Sequence, residues 1–447
     1  MAELNSTDGL DTRKVGSLLW QYSVPAIVAM AASSLYNIID RVFIGQGVGP
    51  LAISGLALTF PLMNLAAAFG ALVGAGASTL VSIRLGQKDR DAAILILGNT
   101  ILLNLILSIS FSIVTLIFLD KILYVLGASK DTLPYAREFM QIILLGNVLT
   151  HIYLGLNNIM RSSGYPQKAM ITTLLTVGSN AILAPVFIFV LKWGIRGAAT
   201  ATVCAQFIGT IIVFSHFLQK QHYIRFLPGY FKMKLKIIRD IFSIGMSNFF
   251  MLTTSSLIII IINLSLEKYG GDFAIGAYGI INSILGLFAM MIVGFNQGMQ
   301  PIAGYNFGAR KFPRVIKVYK HTVITATCVS VLGFILGEIF PKQIAAAFTT
   351  NEALKNLASN GMRLCMAMFP IVGFQMVTAS FFQSIGKAKI SILISLSRQV
   401  LFLIPALLII PLFWGLNGVW CAIPAADITS SVLTFLVLRS QLHKVMK

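Results

Sequence analysis

The chain has 447 residues, of which 57% are hydrophobic and only 11% charged, with a formal net charge of +19. A soluble domain carries roughly 25% charged residues, so this composition excludes a soluble globular protein and points to an integral membrane one. Nucleic-acid binding is excluded too, because lysine and arginine form no single stripe. They recur in short clusters between apolar runs, as in the cytoplasmic loops of membrane proteins.

The polar start "MAELNSTDGLDTRKVGS" leads into an apolar run too long for a signal-peptide core and without a small-residue cleavage site. That run is expected to stay as the first span. Apolar stretches of about 20 residues or more mark membrane helices. They predict twelve, over 17–45, 51–83, 91–119, 133–161, 168–191, 197–219, 237–266, 273–306, 315–340, 354–384, 389–412 and 416–440. The expected fold is an all-α integral membrane protein, its longer spans tilted, kinked or projecting from the bilayer. Cys204, Cys328, Cys365 and Cys421 all fall inside apolar segments without a CxxC pair, so neither a disulfide nor a metal site is implied.

With the N-terminus inside, the basic residues concentrate on the inner side, in "KQHYIRFLPGYFKMKLKIIR", "GARKFPRVIKVYK" and the tail among others. The positive-inside rule then puts both termini in the cytoplasm of a multi-pass protein of the inner (plasma) membrane. The chain also repeats itself: "VLKWGIRGAATA" aligns with "PLFWGLNGVWCA", and "MRSSGYPQKA" with "FQSIGKAKIS". Six spans per half is an even number, so the two halves share one orientation, as parallel transporter repeats do. The expected division is an N-lobe over 1–219, a cytoplasmic linker over 220–236 and a C-lobe over 237–447. Two six-helix lobes around a cavity suit alternating access. No selectivity-filter-like loop suggests a channel, and a seven-helix receptor would not duplicate six.

Polar residues inside the spans are the candidate site. A carboxylate at mid-membrane costs at least about 2.5–3.5 kcal/mol on insertion scales, so Asp40, near the outer end of the first span, needs a reason. Tyr36 and Asn37 precede it by four and three positions and share its face. One reading makes Asp40 interfacial, snorkelling outward or paired with Arg41. The other matches it in depth with Asn180 on the fifth span and Thr202 on the sixth. A carboxylate, an amide and a hydroxyl converging there could bind a proton or a hard cation such as Na⁺. In the second half, Arg398 and Asp427 are expected to pair because a lone buried charge is expensive; a fixed strut and a proton-linked switch both stay open. Gln297, with Asn296, Gln300, Gln375 and Gln399, adds polar surface facing a cavity or packed within the lobe. Pro25, in the same span as Asp40, is the proline expected to act mechanically, because proline removes a backbone hydrogen bond and kinks a helix.

The stretches "VPAIVAMAASSLYNIIDRVFIGQGVG", "RSSGYPQKAM", "SNAILAPVFIF", "WGIRGAATATV" and "GFNQGMQPIAGYNFGARK" resemble the multidrug and toxic compound extrusion (MATE) family, in its bacterial branch of multidrug exporters. The resemblance covers essentially the whole chain. It implies a secondary active transporter that exports bulky, often cationic organic compounds in exchange for H⁺ or Na⁺, with no cofactor beyond the coupling ion. Asp40 matches the family's acidic residue in the first helix, and Asn180 and Thr202 match polar residues of its cation site. The chain departs at Ala184, where many relatives read N-x-x-x-D-P and this one reads "NAILAP". One acid instead of two implies weaker Na⁺ binding and a lone titrating Asp40, or coupling moved to Arg398 and Asp427.

The expected partners are small organic substrates and membrane lipids, and a monomer is expected. The alternative function is a flippase for a lipid-linked saccharide or another polar lipid, which would want a strongly cationic cavity; only Arg398 is basic and clearly intramembrane. An enzyme is not expected, since His151 and His216 are isolated in the sequence and no HExxH or GxSxG motif occurs.

Overall fold

The structure, a computed structural model, describes residues 9–445; positions 1–8 of the polar N-terminal stretch and 446–447 of the tail lie outside the described residues. The described chain is helical almost throughout. In order, the helices are α1 (Val15–Gly47), α2 (Pro50–Gly86), α3 (Arg90–Ile117), α4 (Leu119–Val125), α5 (Leu133–Ser162), α6 (Pro166–Pro185), α7 (Gly194–Leu218) and α8 (Leu235–Gly308). They continue with α9 (Phe312–Ile339), α10 (Pro341–Ala346), α11 (Glu352–Met366), α12 (Phe369–Ser384), α13 (Ala388–Leu396) and α14 (Ile404–Val445).

Among the described residues, nine helical runs are long and apolar enough to cross a bilayer, and the pair α11–α12, bent by 52°, makes a tenth. Two of the nine are double. At 1.5 Å per residue the 74 residues of α8 would measure about 110 Å, several bilayers. The run instead turns back at Gly271 (φ 65°, ψ −166°), and α14 turns at Gly415 (φ 54°, ψ −132°). Twelve spans result. The expected continuous span over 354–384 differs from the bent pair observed, because Pro370, in the first turn of α12, has no N–H for the Met366 carbonyl one turn back.

The backbone carries the internal repeat. Gly49 and Gly271, Lys88 and Arg310, and Gly164 and Gly386 all have positive φ and lie 222 positions apart, as 271 minus 49 shows; Gly194 and Gly415 lie 221 apart. Both halves also place a π-helical segment at the matching helix, over Val186–Val190 and Ser397–Leu403. In the first half its cause is visible: Pro185 offers no N–H to the carbonyl one turn back, and the backbone rewinds around the gap.

The chain forms two compact units. Of the described residues, the first takes those before Lys14, Val28–Leu252 and Gly304–Arg310, and the second takes Lys14–Ile27, Thr253–Ala303 and those after Arg310. In the first, α2 crosses the start of α8 at backbone distance. A Cβ on Gly76 would strike the Ile241 carbonyl, and one on Gly245 the Leu72 carbonyl. The second holds the matching crossing, where Gly298 lies against Ser23 and Gly294 against Ile27, with Trp20 edge-on to Phe295 at 5.6 Å. Small residues allow such approach where helix association relies on packing. Each unit has its own apolar core: Ile44, Leu62, Phe139, Met140, Ala184 and Ala198 in the first, and Ile262, Ile281, Phe288, Met362, Trp420 and Ile423 in the second.

The segment between the halves is laced onto α3. Arg90 Nε donates to the Tyr223 carbonyl at 2.7 Å, and the Tyr230 hydroxyl donates to Asp91 at 2.8 Å. That hydrogen bond raises the Tyr230 pKa above the ordinary tyrosine value, because the hydroxyl proton is already held by a carboxylate.

Candidate functional site

Tyr36, Asn180 and Thr202 meet inside the first unit, from α1, α6 and α7. The Asn180 amide donates to the Tyr36 hydroxyl at 3.0 Å and to Thr202 Oγ1 at 3.1 Å, and the two hydroxyl oxygens lie 3.0 Å apart. Thr202 Oγ1 also donates to the Ala198 carbonyl at 3.2 Å, the usual bond of a threonine inside a helix. With that proton committed, Tyr36 donates to Thr202 and the ring closes.

The ring leaves acceptors over. Asn180 Oδ1 is buried without a hydrogen-bond partner. Asp40 lies one turn along α1 from Tyr36, 8% exposed, and its buried Oδ1 has no partner either. The site therefore holds a carboxylate oxygen and an amide oxygen that meet no protein donor, open to water, a proton or a cation. Ala184, one turn beyond Asn180, sits instead in the apolar core with Ile44, Ile188 and Ala198. No oxygen reaches the site from that position.

The other sequence candidates divide. Asn37 is exposed and takes no part in the ring, although its spacing put it on the same face. Pro25 is buried within an unbroken α1, and the boundary between the two units crosses α1 just after it, between Ile27 and Val28. In the second unit, Arg398 Nε donates to Asp427 Oδ1 at 2.7 Å, and Asp427 is only 2% exposed. Arg398 belongs to the π segment, and its neighbour Gln399 donates to Ser255 Oγ at 3.1 Å. Gln375 donates to the Ile394 carbonyl at 3.3 Å, and Gln297 is half-buried on α8 beside the glycine crossing.

Two features escaped the sequence reading. Helix α3 buries Thr100, Asn104, Ser108 and Ser112, a polar stripe at four-residue spacing that the apolar length of the span hides. His216, isolated in the sequence, stacks on His222 with ring centroids 4.0 Å apart, and Tyr165 closes the group with its hydroxyl 2.9 Å from His222 Nδ1. Only the fold brings positions 165, 216 and 222 together.

The sequence model of the MatE family matches residues 25–186 and 248–408. Curated relatives include the multidrug export protein MepA of Staphylococcus haemolyticus (strain JCSC1435), 28% identical over 431 residues, 95% of this chain and 94% of that protein. The protein of the same name from Staphylococcus aureus (strain N315) is 27% identical over 420 residues, covering 94% and 92%. Among solved structures, a MOP superfamily transporter from Pyrococcus furiosus superposes with a TM-score of 0.92 at 23% identity over the whole of both chains. A multidrug resistance MATE family transporter in an outward-facing conformation gives 0.91 at 23% identity, over 98% of each. These structures share the fold. The family match spans most of the chain in two blocks, one in each repeat, and on that ground the chain belongs to the MatE family.

Proposed function

We propose that this protein exports small organic, cationic compounds across the plasma membrane in exchange for protons, by alternating access, as a monomer with both termini in the cytoplasm. The curated relatives, named multidrug export proteins, support the export of varied compounds. Asp40 carries the choice of ion. It is a buried carboxylate with an unpartnered oxygen, next to a ring whose own protons are already committed. Sodium prefers several oxygen ligands, and the apolar packing of Ala184 withholds a second carboxylate. A proton needs only one.

Coupling follows if protonated Asp40 and bound substrate favour different states of the transporter, because each then drives the equilibrium the other opposes. One charge crossing 100 mV contributes about 2.3 kcal/mol and one pH unit about 1.4 kcal/mol, together enough for an outward gradient of about a few hundredfold. The test is efflux of a fluorescent organic cation from vesicles under an imposed H⁺ or Na⁺ gradient, for wild type and Asp40→Asn. The expected result is H⁺-driven efflux that the variant loses while still binding the cation. Efflux driven by Na⁺ alone, or an Asp40→Asn protein that stays coupled to H⁺, overturns the assignment.

A further inference from the structure

The stretch "FKMKLK", residues 231–236, alternates apolar and basic side chains at the period of an extended strand. All six residues are exposed. Phe231 is 40% exposed, Met233 47% and Leu235 81%, a high value for apolar groups in a segment so firmly held.

The hold is specific. Asn99 of α3, itself fully buried, donates to the Lys232 carbonyl at 3.0 Å and accepts from the Lys234 amide at 3.1 Å, pairing with the segment as a neighbouring strand would. Gly98 lets the chain lie flat on the helix, since a Cβ there would come within 2.5 Å of the Tyr230 carbonyl oxygen. This docking also sets the depth. A hydrocarbon core needs about 20 helical residues, and counting back from Ile117 at the far end of α3 reaches Gly98. The segment therefore lies where hydrocarbon gives way to headgroups.

Helix α8 begins at Leu235 without a side-chain cap and with no acidic residue in its first turn, while Lys234 and Lys236 flank its free N–H groups. A helix start carries partial positive charge, and lysines there add to it. Among the described residues none of these lysines forms an ion pair, and an anion on the membrane side would neutralise the group.

We propose that residues 231–236 form a docking site for anionic phospholipid, with Phe231, Met233 and Leu235 in the acyl boundary and Lys232, Lys234, Lys236 and the uncapped start of α8 on the phosphate. The leaflet is the one on the linker side, which the proposed orientation makes the cytoplasmic leaflet, where anionic lipid attracts basic segments beside membrane helices.

The test is native mass spectrometry of the full chain released from detergent after addition of dioleoyl-phosphatidylglycerol or dioleoyl-phosphatidylcholine. Wild type should retain the anionic lipid in preference, and K232A/K234A should lower that retention by about fivefold or more. The charge-matched K387A/K389A, at the exposed basic start of α13, should change it by less than about twofold. Equal losses in the two variants, or no preference in wild type, overturn the site. Complete displacement of the lipid by inorganic phosphate overturns it as well, since the segment would then be a plain anion site. None of these readouts uses transport, so they stand or fall separately from the assignment of the coupling ion.

Discussion

The turns at Gly49 and Gly271 bring residues 36 and 40 into register with 258 and 262. Those at Gly164 and Gly386 align 180 with 402, and those at Gly194 and Gly415 align 202 with 423. Tyr36, Asp40, Asn180 and Thr202 thus correspond to Ile258, Ile262, Phe402 and Ile423, all of them in or against the apolar core of the second unit. The charge pair of the second half has counterparts as well: Arg398 aligns with Thr176 and Asp427 with Gln206, one turn from Asn180 and Thr202 along their helices. The same backbone frame therefore carries two polar sites displaced by one turn, about 5.4 Å. They differ in kind. The pair in the second half satisfies itself, while the site in the first half holds an acid with no internal cation. A duplicated fold preserves turns and helix bends, and leaves chemistry to the side chains.

The strongest challenge to this contrast is Asp427→Ala. It leaves the Arg398 guanidinium without its partner, and the expected loss is about 3 kcal/mol in equilibrium unfolding of the purified protein. Arg398→Leu with Asp427→Leu should recover most of it, because removing both charges removes the desolvation problem. A stable Asp427→Ala protein would mean that the second site does not depend on self-neutralisation. Next comes Ala184→Asp, which puts a second acid among apolar neighbours in the first half. Without Na⁺ it should destabilise by about 2 kcal/mol, and added Na⁺ should raise its melting temperature while leaving wild type unmoved. An indifferent variant would show that the ring cannot share a cation with position 184. The smallest expected effect is Thr202→Val, about 1 kcal/mol for one interhelical hydrogen bond. Melting compared with Tyr36→Phe tests the ring directly: the double variant should cost less than the sum of the two, because both remove the same contact.

The twelve spans were legible because apolar length is the strongest signal a membrane chain carries, and both observed doublings, at Gly271 and Gly415, fall between spans read as separate. Two ring members, Asn180 and Thr202, were named from depth, as polar residues on spans of known direction, and Tyr36 from its spacing to Asp40. Asn37 was not, because three-residue and four-residue spacings both fit one face and only packing chose Tyr36. The π segments, the 52° bend before α12 and the stripe on α3 leave weaker traces. A π turn has no composition of its own, and four small polar residues in a span of 28 do not alter its apolar average. The docking of residues 231–236 on Asn99 was least legible, since it joins positions 133 or more apart and meets the segment at backbone atoms that any sequence possesses.

The single-residue turns at Gly49, Gly271 and Gly415 also limit how this protein can be handled. At Gly271 and Gly415 one helix runs into the next with no spare loop, and the left-handed backbone there resists any residue with a Cβ. An epitope or bulky probe inserted at either point would push two spans apart. The exposed positions 129–131 and 347–348 lie between helices, so reporters for that end of the spans belong there.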